Sequence, residues 1–409
     1  MELQDAANLP PERGQDEWVN FQAVSKTGNV FGLARDGKLY CRTPDNRTFW
    51  KELVTGNGTR FSHLELNSDN TLLLLWSNQR VAILELAIKY SDDNIFLRDI
   101  FILSESQTIS KSGFHPFSSR HILVLSSNEV LIFDGMNPQG KEPEKILMPL
   151  VKPGMEFTSY CFGPNIDWLG ATIFLLCKNG DIYVMNPLLP KGAIVPSAVL
   201  SEMEASIASM SAKSREDAVD FLRDLFGPPT RRDLRSYVVA EEMNSDPYIS
   251  DEIPIRVTEL QGPLSRLNRN KPVGVEAVEI CFPSNKADAS PNGGLIGSPI
   301  LFVAFSNGDV DILLLKSEDM IISPKWRKRT IVENPPVPLI NPLNECGSLP
   351  PLEWIQTMSW SDFQSATRVV VDPRGGWGEE RKDSGITGGE RQVIALAADP
   401  GSVDLLTTI

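Results

Sequence analysis

The sequence predicts a mainly β fold, a β-propeller of about seven blades carrying one helical insertion. Three observations lead there. A hairpin with Asn-Gly-Asp at its tip recurs. A short alternating strand, closed by a turn residue, precedes most hairpins. The early hairpins follow one another at a near-constant period.

The clearest hairpins come first in the argument. Asn179-Gly180-Asp181 separates the apolar run Thr172 to Cys177 from Ile182 to Met185, and Asn307-Gly308-Asp309 separates Ile300 to Phe305 from Val310 to Leu315. Asn-Gly between strand-like runs marks a tight turn, because such a turn needs φ > 0 at its centre. Four weaker copies complete a set of six. Val30 to Ala34 and Leu39 to Cys41 flank Asp36-Gly37; Leu72 to Trp76 and Val81 to Leu86 flank Ser77 to Arg80. Ile122 to Leu125 and Val130 to Phe133 flank Ser126 to Glu129; Val393 to Ala397 and Val403 to Leu406 flank Asp399-Pro400-Gly401.

The leading strands are Ser62 to Leu66, Lys111 to His115, Phe157 to Phe162, Val275 to Phe282 and Gln356 to Trp360. Several stop at proline, which lacks the N–H that an inner strand must donate. Strand, loop, strand, hairpin, strand is most of a four-stranded blade. The turns at Gly37, Asn78, Asn128 and Gly180 lie 41, 50 and 52 residues apart, the length of one blade in known arrays. The wider gaps to Gly308 and Pro400 must hold an insertion, an extra blade, or both. Trp-Asp and Gly-His dipeptides do not repeat, so the propeller is degenerate. A large sandwich or two β domains would show similar hairpins; the constant period favours one propeller domain over residues 1–409.

The insertion is expected at 197–250. Ser214-Arg215-Glu216-Asp217 reads as an N-terminal cap. Val219, Leu222 and Phe226 follow at helical spacing, with Phe221 and Leu225 beside them, and Gly227-Pro228-Pro229 ends the helix. A second helix is predicted from Ser201 to about Met210, and a third over Asp233 to Met243, with Leu234, Tyr237 and Val238. The apolar stripe must be covered, because each large side chain contributes about 1.5–3 kcal/mol when buried. Either the propeller's own flank covers it or a partner does. In the second case Leu222, Leu225, Phe226 and Tyr237 are the candidate partner contacts.

Composition limits the chemistry. The chain has 409 residues, 41% hydrophobic, and a net charge of −14. That charge argues against nucleic-acid binding over the whole surface. One local exception is Lys325-Trp326-Arg327-Lys328-Arg329, which reads as a solvated loop or a charged edge strand, with an RNA contact or a targeting signal as the alternatives. No run has the length of a membrane span and no signal-peptide core opens the chain, so a soluble intracellular protein is expected. Cys41, Cys161, Cys177, Cys281 and Cys346 are odd in number and widely spaced, without CxxC. That pattern fits a reducing compartment.

His63, His115 and His121 are the only histidines. None stands at HxxxH or HxH spacing, and Walker and Gly-x-Ser-x-Gly motifs are missing. No catalytic residue, metal ligand or cofactor is expected. Ser284 to Gly297 and Arg374 to Gly389 read as flexible loops, and the proline-rich Pro335 to Pro351 as an extended surface connector, with a polyproline ligand at Pro335-Pro336-Val337-Pro338 as the alternative.

A resemblance sharpens this reading. Leu176-Cys-Lys-Asn-Gly-Asp-Ile-Tyr-Val-Met185, then Asn186-Pro187-Leu188-Leu189-Pro190 and a helical segment, resembles the N-terminal propeller of the Nup88 family of nucleoporins, called Nup82 in fungi. Phe114-His115-Pro116 before Ile122 to Leu125, and Asn128-Glu129-Val130 before Leu131 to Phe133, resemble that family's third blade. The likeness is best over residues 60–190 and returns near 300–315. It implies a structural adaptor on the cytoplasmic face of the nuclear pore, supporting messenger-RNA export. The implied partners are the C-terminal helix of a filament nucleoporin and the autoproteolytic domain of a Gly-Leu-Phe-Gly nucleoporin, with no direct nucleic acid and no membrane insertion. The family's C-terminal coiled coil is not in this sequence, so a fragment of a longer protein is expected. The rival readings are a propeller of a vesicle-coat, tethering or ciliary transport complex, and an RNA-binding platform.

Overall fold

Each of the six hairpins is formed in the computed structural model, which describes residues 18–23, 28–42, 50–53, 60–86, 98–102, 108–126, 129–137, 145–147, 156–190, 192–208, 212–226, 236–238, 255–258, 260–266, 271–282, 299–315, 326–329, 340–342, 352–358, 394–399 and 402–407. The residues group into two compact units: 1–157, 187–258 and 324–340 in the first, 158–186, 259–323 and 341–409 in the second.

The first unit holds three antiparallel four-stranded sheets. Sheet I is Trp18–Ala23, Val30–Ala34, Leu39–Arg42 and Lys51–Leu53; sheet II is His63–Leu66, Leu72–Trp76, Arg80–Glu85 and Arg98–Ile102. Sheet III is Ile109–His115, Ser118–Ser126, Glu129–Asp134 and Lys145–Leu147. In each, spatial order follows chain order, which is the meander of a propeller blade.

The run Leu72-Leu-Leu-Leu-Trp76 does not alternate because both faces of its strand are covered. Leu73 and Leu75 enter a core with Phe31, Leu33, Leu39, Leu64 and Leu84. Leu72, Leu74 and Trp76 enter another with Ile109, Ile122, Val124 and Phe133. Asn67 fastens sheet II to sheet III: its Oδ1 accepts from the Thr71 and Leu72 amides at 2.8 and 3.0 Å, and its Nδ2 donates to the Ser119 carbonyl at 2.6 Å.

In the second unit, sheet IV begins with Phe157–Phe162, Ile173–Cys177 and Asp181–Met185. Its fourth strand, Leu260–Arg266, arrives only after the helical excursion, and Ile340–Pro342 adds a fifth. Sheet V is Ala277–Cys281, Ile300–Phe305, Val310–Leu315 and Leu352–Met358. Phe174, Leu176, Ile182, Val184 and Leu264 of sheet IV share one core with Ala277, Ile280, Leu301, Val303 and Leu313 of sheet V. The last hairpin pairs Ile394–Asp399 with Ser402–Thr407.

The fold class is thus a mainly β propeller with a helical insertion. Among the described residues five sheets have four or more strands and one further hairpin follows. One expected element changes role. Gln356 to Met358 does not lead a blade; it lies in the closing strand of sheet V, where Thr357 pairs with Asp311. Alternation alone does not distinguish a first strand from a fourth, because both have one neighbour. Trp360 lies outside the described residues.

The recurring tip has a chemical explanation. At all three glycine tips the amide of the glycine donates to a carbonyl three residues back: Gly37 to Ala34, Gly180 to Cys177 and Gly308 to Phe305, at 2.8, 2.8 and 2.9 Å. The glycines take φ of +80, +83 and +84°. Only the glycine is left-handed, so this is a three-residue turn with a left-handed last position. The residue before it supplies a side-chain oxygen: Asp36 accepts from the Lys38 amide, Asn179 from Asp181 and Asn307 from Asp309, at 3.2, 3.0 and 3.1 Å. The Asn amides then donate to Asp181 and Asp309 at 3.0 and 2.9 Å. Asn-Gly-Asp is therefore one hydrogen-bonded unit.

Two predictions follow from these contacts. A Cβ at Gly37 would collide with the Arg60 backbone, whereas at Gly192, with φ of +78°, nothing lies within 4 Å of the added atom and the cost is the left-handed backbone, about 1–2 kcal/mol. Gly37→Ala is expected to lower the thermal midpoint further than Gly192→Ala in parallel melts. The second concerns Lys271, which is 7% exposed and ion-paired to Asp309 and Asp311 at 3.2 and 2.9 Å, with its Nζ 4.3 Å from the centre of the Phe305 ring. Lys271→Met takes the paired cation away from the buried Asp311 carboxylate and is expected to cost about 3–5 kcal/mol in denaturant unfolding. Adding Asp311→Leu is expected to restore most of it.

Candidate docking site

The helical excursion of the first unit is the candidate site, and it is built on a clamp. His115 ends the first strand of sheet III, and Pro116-Phe117 turns the chain into the second. His115 is fully buried, with Nε2 2.9 Å from the Leu188 carbonyl and Nδ1 3.1 Å from the Phe117 amide. A carbonyl only accepts and an amide only donates, so Nε2 carries the proton and Nδ1 is bare. The Phe117 carbonyl accepts from the Ile194 amide at 2.6 Å. Leu188, Leu189 and Phe117 are buried beside these bonds. Sheet III thus holds the segment that leads into the helices at two points.

Ser118 stiffens the clamp from behind. Its Oγ accepts from the Arg120 and His121 amides at 3.3 Å each, and its own proton goes to His121 Nδ1 at 2.7 Å. Arg120 forms a forked ion pair with Asp134. Burial pushes the Asp134 carboxyl up, but the Arg120 side chain and the Met136 amide hold it below its usual range.

Beyond the clamp, Ile194–Pro196 pairs antiparallel with Ser236–Val238, setting Ile194 opposite Val238 and Val195 opposite Tyr237. Two helices lie between these strands in sequence: α1, Ser197–Ile207, and α2, Ala212–Phe226. α1 buries Val199, Leu200, Met203 and Ile207 and packs on α2 and on the strand Ile194–Pro196. α2 buries Ala218, Leu222 and Phe226, which are four residues apart and so lie on one face. Arg215 of α2 donates to the Ala208 carbonyl at 2.9 Å, satisfying a carbonyl left over at the end of α1.

The expected contacts fall out as follows. Leu222 and Phe226 are 2% and 7% exposed and so are covered by the protein itself. Leu225 lies on α2; nothing further is described of its side chain. Tyr237 is on a strand, not on the expected third helix. Its neighbourhood, Ser236-Tyr-Val-Val239, is aromatic and β-branched, and pairing with Ile194-Val195 prevails over the helical spacing. Val219 was expected in the buried stripe and is 39% exposed; Ala218 takes its place because the stripe runs through Leu222 at steps of four. α2 also begins at Ala212, two residues before the expected cap at Ser214. Met210, Leu234 and Met243 lie outside the described residues.

The histidines are structural supports. His63 stacks on Trp76 with ring centres 3.7 Å apart, and burial lowers it to about 4. Burial lowers His115 to about 3. Beside them, burial raises Glu65 to about 7, although the Phe114 amide donates to it at 3.4 Å. Among the described residues no group of three or more His, Cys, Asp or Glu is placed to hold a metal ion, and no helix is long and apolar enough to cross a membrane.

Comparison with known proteins gives a consistent answer. The chain is 25% identical over 291 residues to the nuclear pore complex protein NUP88 of Arabidopsis thaliana, covering 65% of this chain and 35% of that protein. It is 24% identical over 261 residues to nucleoporin nup82 of Schizosaccharomyces pombe, covering 56% and 30%. The chain is a homologue of the Nup88 and Nup82 nucleoporins. It spans about a third of the length of these relatives. No protein-family model matches it. By fold it is similar to a chain of the yeast Nup82–Nup159–Nup116 complex, with TM-score 0.52, 15% identity and 87% and 78% of the two chains covered. It is also similar to a chain of the Chaetomium thermophilum complex of the Nup82 N-terminal domain, the Nup159 tail and the Nup145N autoproteolytic domain, with TM-score 0.57, 13% identity and 87% and 76% covered.

The residues behind the Nup88 resemblance have physical roles here. Phe114-His115-Pro116 is the clamp on sheet III, and Asn186 to Pro190 is the segment it grips. The histidine makes the grip sensitive to acid. Its folded value lies below its unfolded value of about 6.5, so its contribution is complete above that pH and is lost as pH falls through the interval below it. Glu65, raised on folding, acts in the opposite sense, so the useful quantity is a difference between proteins. His115→Gln keeps a donor and an acceptor but cannot ionise. The fall in thermal midpoint between pH 7 and pH 5 is expected to be smaller in His115→Gln than in the wild type.

Proposed function

We propose that this chain is the propeller of a structural adaptor of the nuclear pore complex. It docks other nucleoporins at the cytoplasmic face, in support of messenger-RNA export, and is not an enzyme. Residues 1–409 act as one propeller domain with the excursion at 197–250. The partners are a C-terminal helix of a filament nucleoporin and the autoproteolytic domain of a Gly-Leu-Phe-Gly nucleoporin. The observation that carries this reading is the excursion itself. A pair of helices is lifted out of a blade and fixed at its root by strand pairing and by the His115 clamp, in a homologue of Nup82, whose solved complexes contain a Nup159 tail and an autoproteolytic domain.

The physical case is preorganisation. A stiff body that presents a fixed helical pair lets a partner bind without an ordering cost on this side. An amphipathic partner helix laid beside α2 is the expected mode. Leu225 and Tyr237 are assigned to direct contact. Leu222 and Phe226 hold α2 in place from beneath, and reach a partner only if α2 lifts.

The test is capture of the two nucleoporin partners by purified variants, with melts in parallel. Leu225→Asp and Tyr237→Asp are expected to lose at least about tenfold in affinity with the fold intact. Leu222→Asp and Phe226→Asp are expected to lose both capture and thermal stability. Full capture by folded Leu225→Asp and Tyr237→Asp proteins would remove the excursion from the docking surface.

A further inference from the structure

The basic run does not stand alone in the fold. Trp326–Arg329 pairs antiparallel with Ile255–Thr258. Ile255 is opposite Arg329, Arg256 opposite Lys328, Val257 opposite Arg327 and Thr258 opposite Trp326. Residues directly opposite share a face of an antiparallel pair. One face therefore holds Arg256, Lys328, Thr258 and Trp326, and the other Arg327, Arg329, Ile255 and Val257. The eight positions carry cations and no anion, in a chain of net charge −14.

This arrangement is costly on its own. Like charges directly opposite each other weaken a strand pair, and an isolated two-stranded ribbon is marginal in water. A counter-charge from outside the ribbon would offset both. Among the described residues the sheet has two strands only, and a strand edge is where a further strand adds.

The geometry points to this ribbon as a docking edge for an extended acidic peptide segment of a partner protein. Such a segment adds as a third strand through main-chain hydrogen bonds, and its alternate side chains meet one face. Acidic residues at every second position meet Arg256 and Lys328. RNA would use the cations but not the strand edge, and a long polyanion is opposed by the charge of the whole chain. The ribbon shares no residue with the helical excursion.

The experiment is fluorescence anisotropy on the full chain with two probes, a labelled octapeptide of alternating Glu and Thr and a labelled oligouridine. The wild type is expected to bind the peptide in preference to the oligouridine, more weakly as salt rises. Combined Arg327→Gln, Lys328→Gln and Arg329→Gln is expected to weaken peptide binding by about tenfold or more. Arg256→Gln, far from the basic run in sequence, is expected to weaken it several-fold, while Arg256→Lys retains it. Thermal melts confirm folding, and the single Arg256 variants decide the matter if the triple variant unfolds. Unchanged peptide affinity in the Arg256→Gln protein overturns the proposal. So does tighter binding of oligouridine, which would make the ribbon an RNA contact. Self-association on neutralisation with peptide affinity unchanged would make the charges a guard against aberrant strand pairing, and overturns it as well.

Discussion

The structure depends on one constraint: a strand in the middle of a blade must bury both of its faces. Sheet II shows it most directly. Leu73 and Leu75 lie in one core and Leu72, Leu74 and Trp76 in the next, so a single strand links two cores. No sheet in such a series is stable by itself. Each supplies the cover that its neighbour lacks, and stability is distributed along the chain through nearest-neighbour packing. That explains why polar groups crossing between sheets, such as Asn67, are satisfied by four side-chain hydrogen bonds rather than left to water.

The same constraint decided what could be read from the sequence. Central strands announce themselves as unbroken apolar runs, and three of their hairpins carry glycine at the left-handed position. All six hairpins were legible from the paired apolar runs. Several edge strands were not. Trp18–Ala23, Lys51–Leu53, Arg98–Ile102 and Lys145–Leu147 have weak patterns, because an outer strand has fewer neighbours to demand apolar residues. Leu352–Met358 was legible as a strand but not as a fourth strand, since only its pairing with Val310–Leu315 gives it that place.

The excursion was legible in its helices and not in its root. Helical spacing located α1 and α2 to within a few residues, and Gly227-Pro228 placed the end of α2 at Phe226. The strands that close it were hidden for a different reason. Ile194–Pro196 and Ser236–Val238 are three residues each, too short to show a period, and each makes sense only through the other. The clamp was half visible. Phe114-His115-Pro116 stood out as a motif, but nothing in it says that the ring reaches Leu188. The ribbon of Ile255–Thr258 and Trp326–Arg329 is the extreme case, because Arg256 joins the basic run only through pairing across a long stretch of chain.

Fixing the helices at their root has a consequence for how binding energy is divided. α1 and α2 are joined to each other by Arg215 and by their buried stripes, and to sheet III through the His115 ring on the Leu188 carbonyl and the Ile194 amide on the Phe117 carbonyl. A partner that meets only their outer surface gains little apolar area from Leu222 or Phe226, which folding has already removed from water. Its affinity must then come from groups on the outer face rather than from the buried stripe. One that displaces α2 would gain the larger area but lose the packing that holds the pair together. The two routes differ in rate. Surface docking proceeds at ordinary association rates, whereas displacement waits for local opening. A clamp that stiffens the root therefore favours the first route over the second.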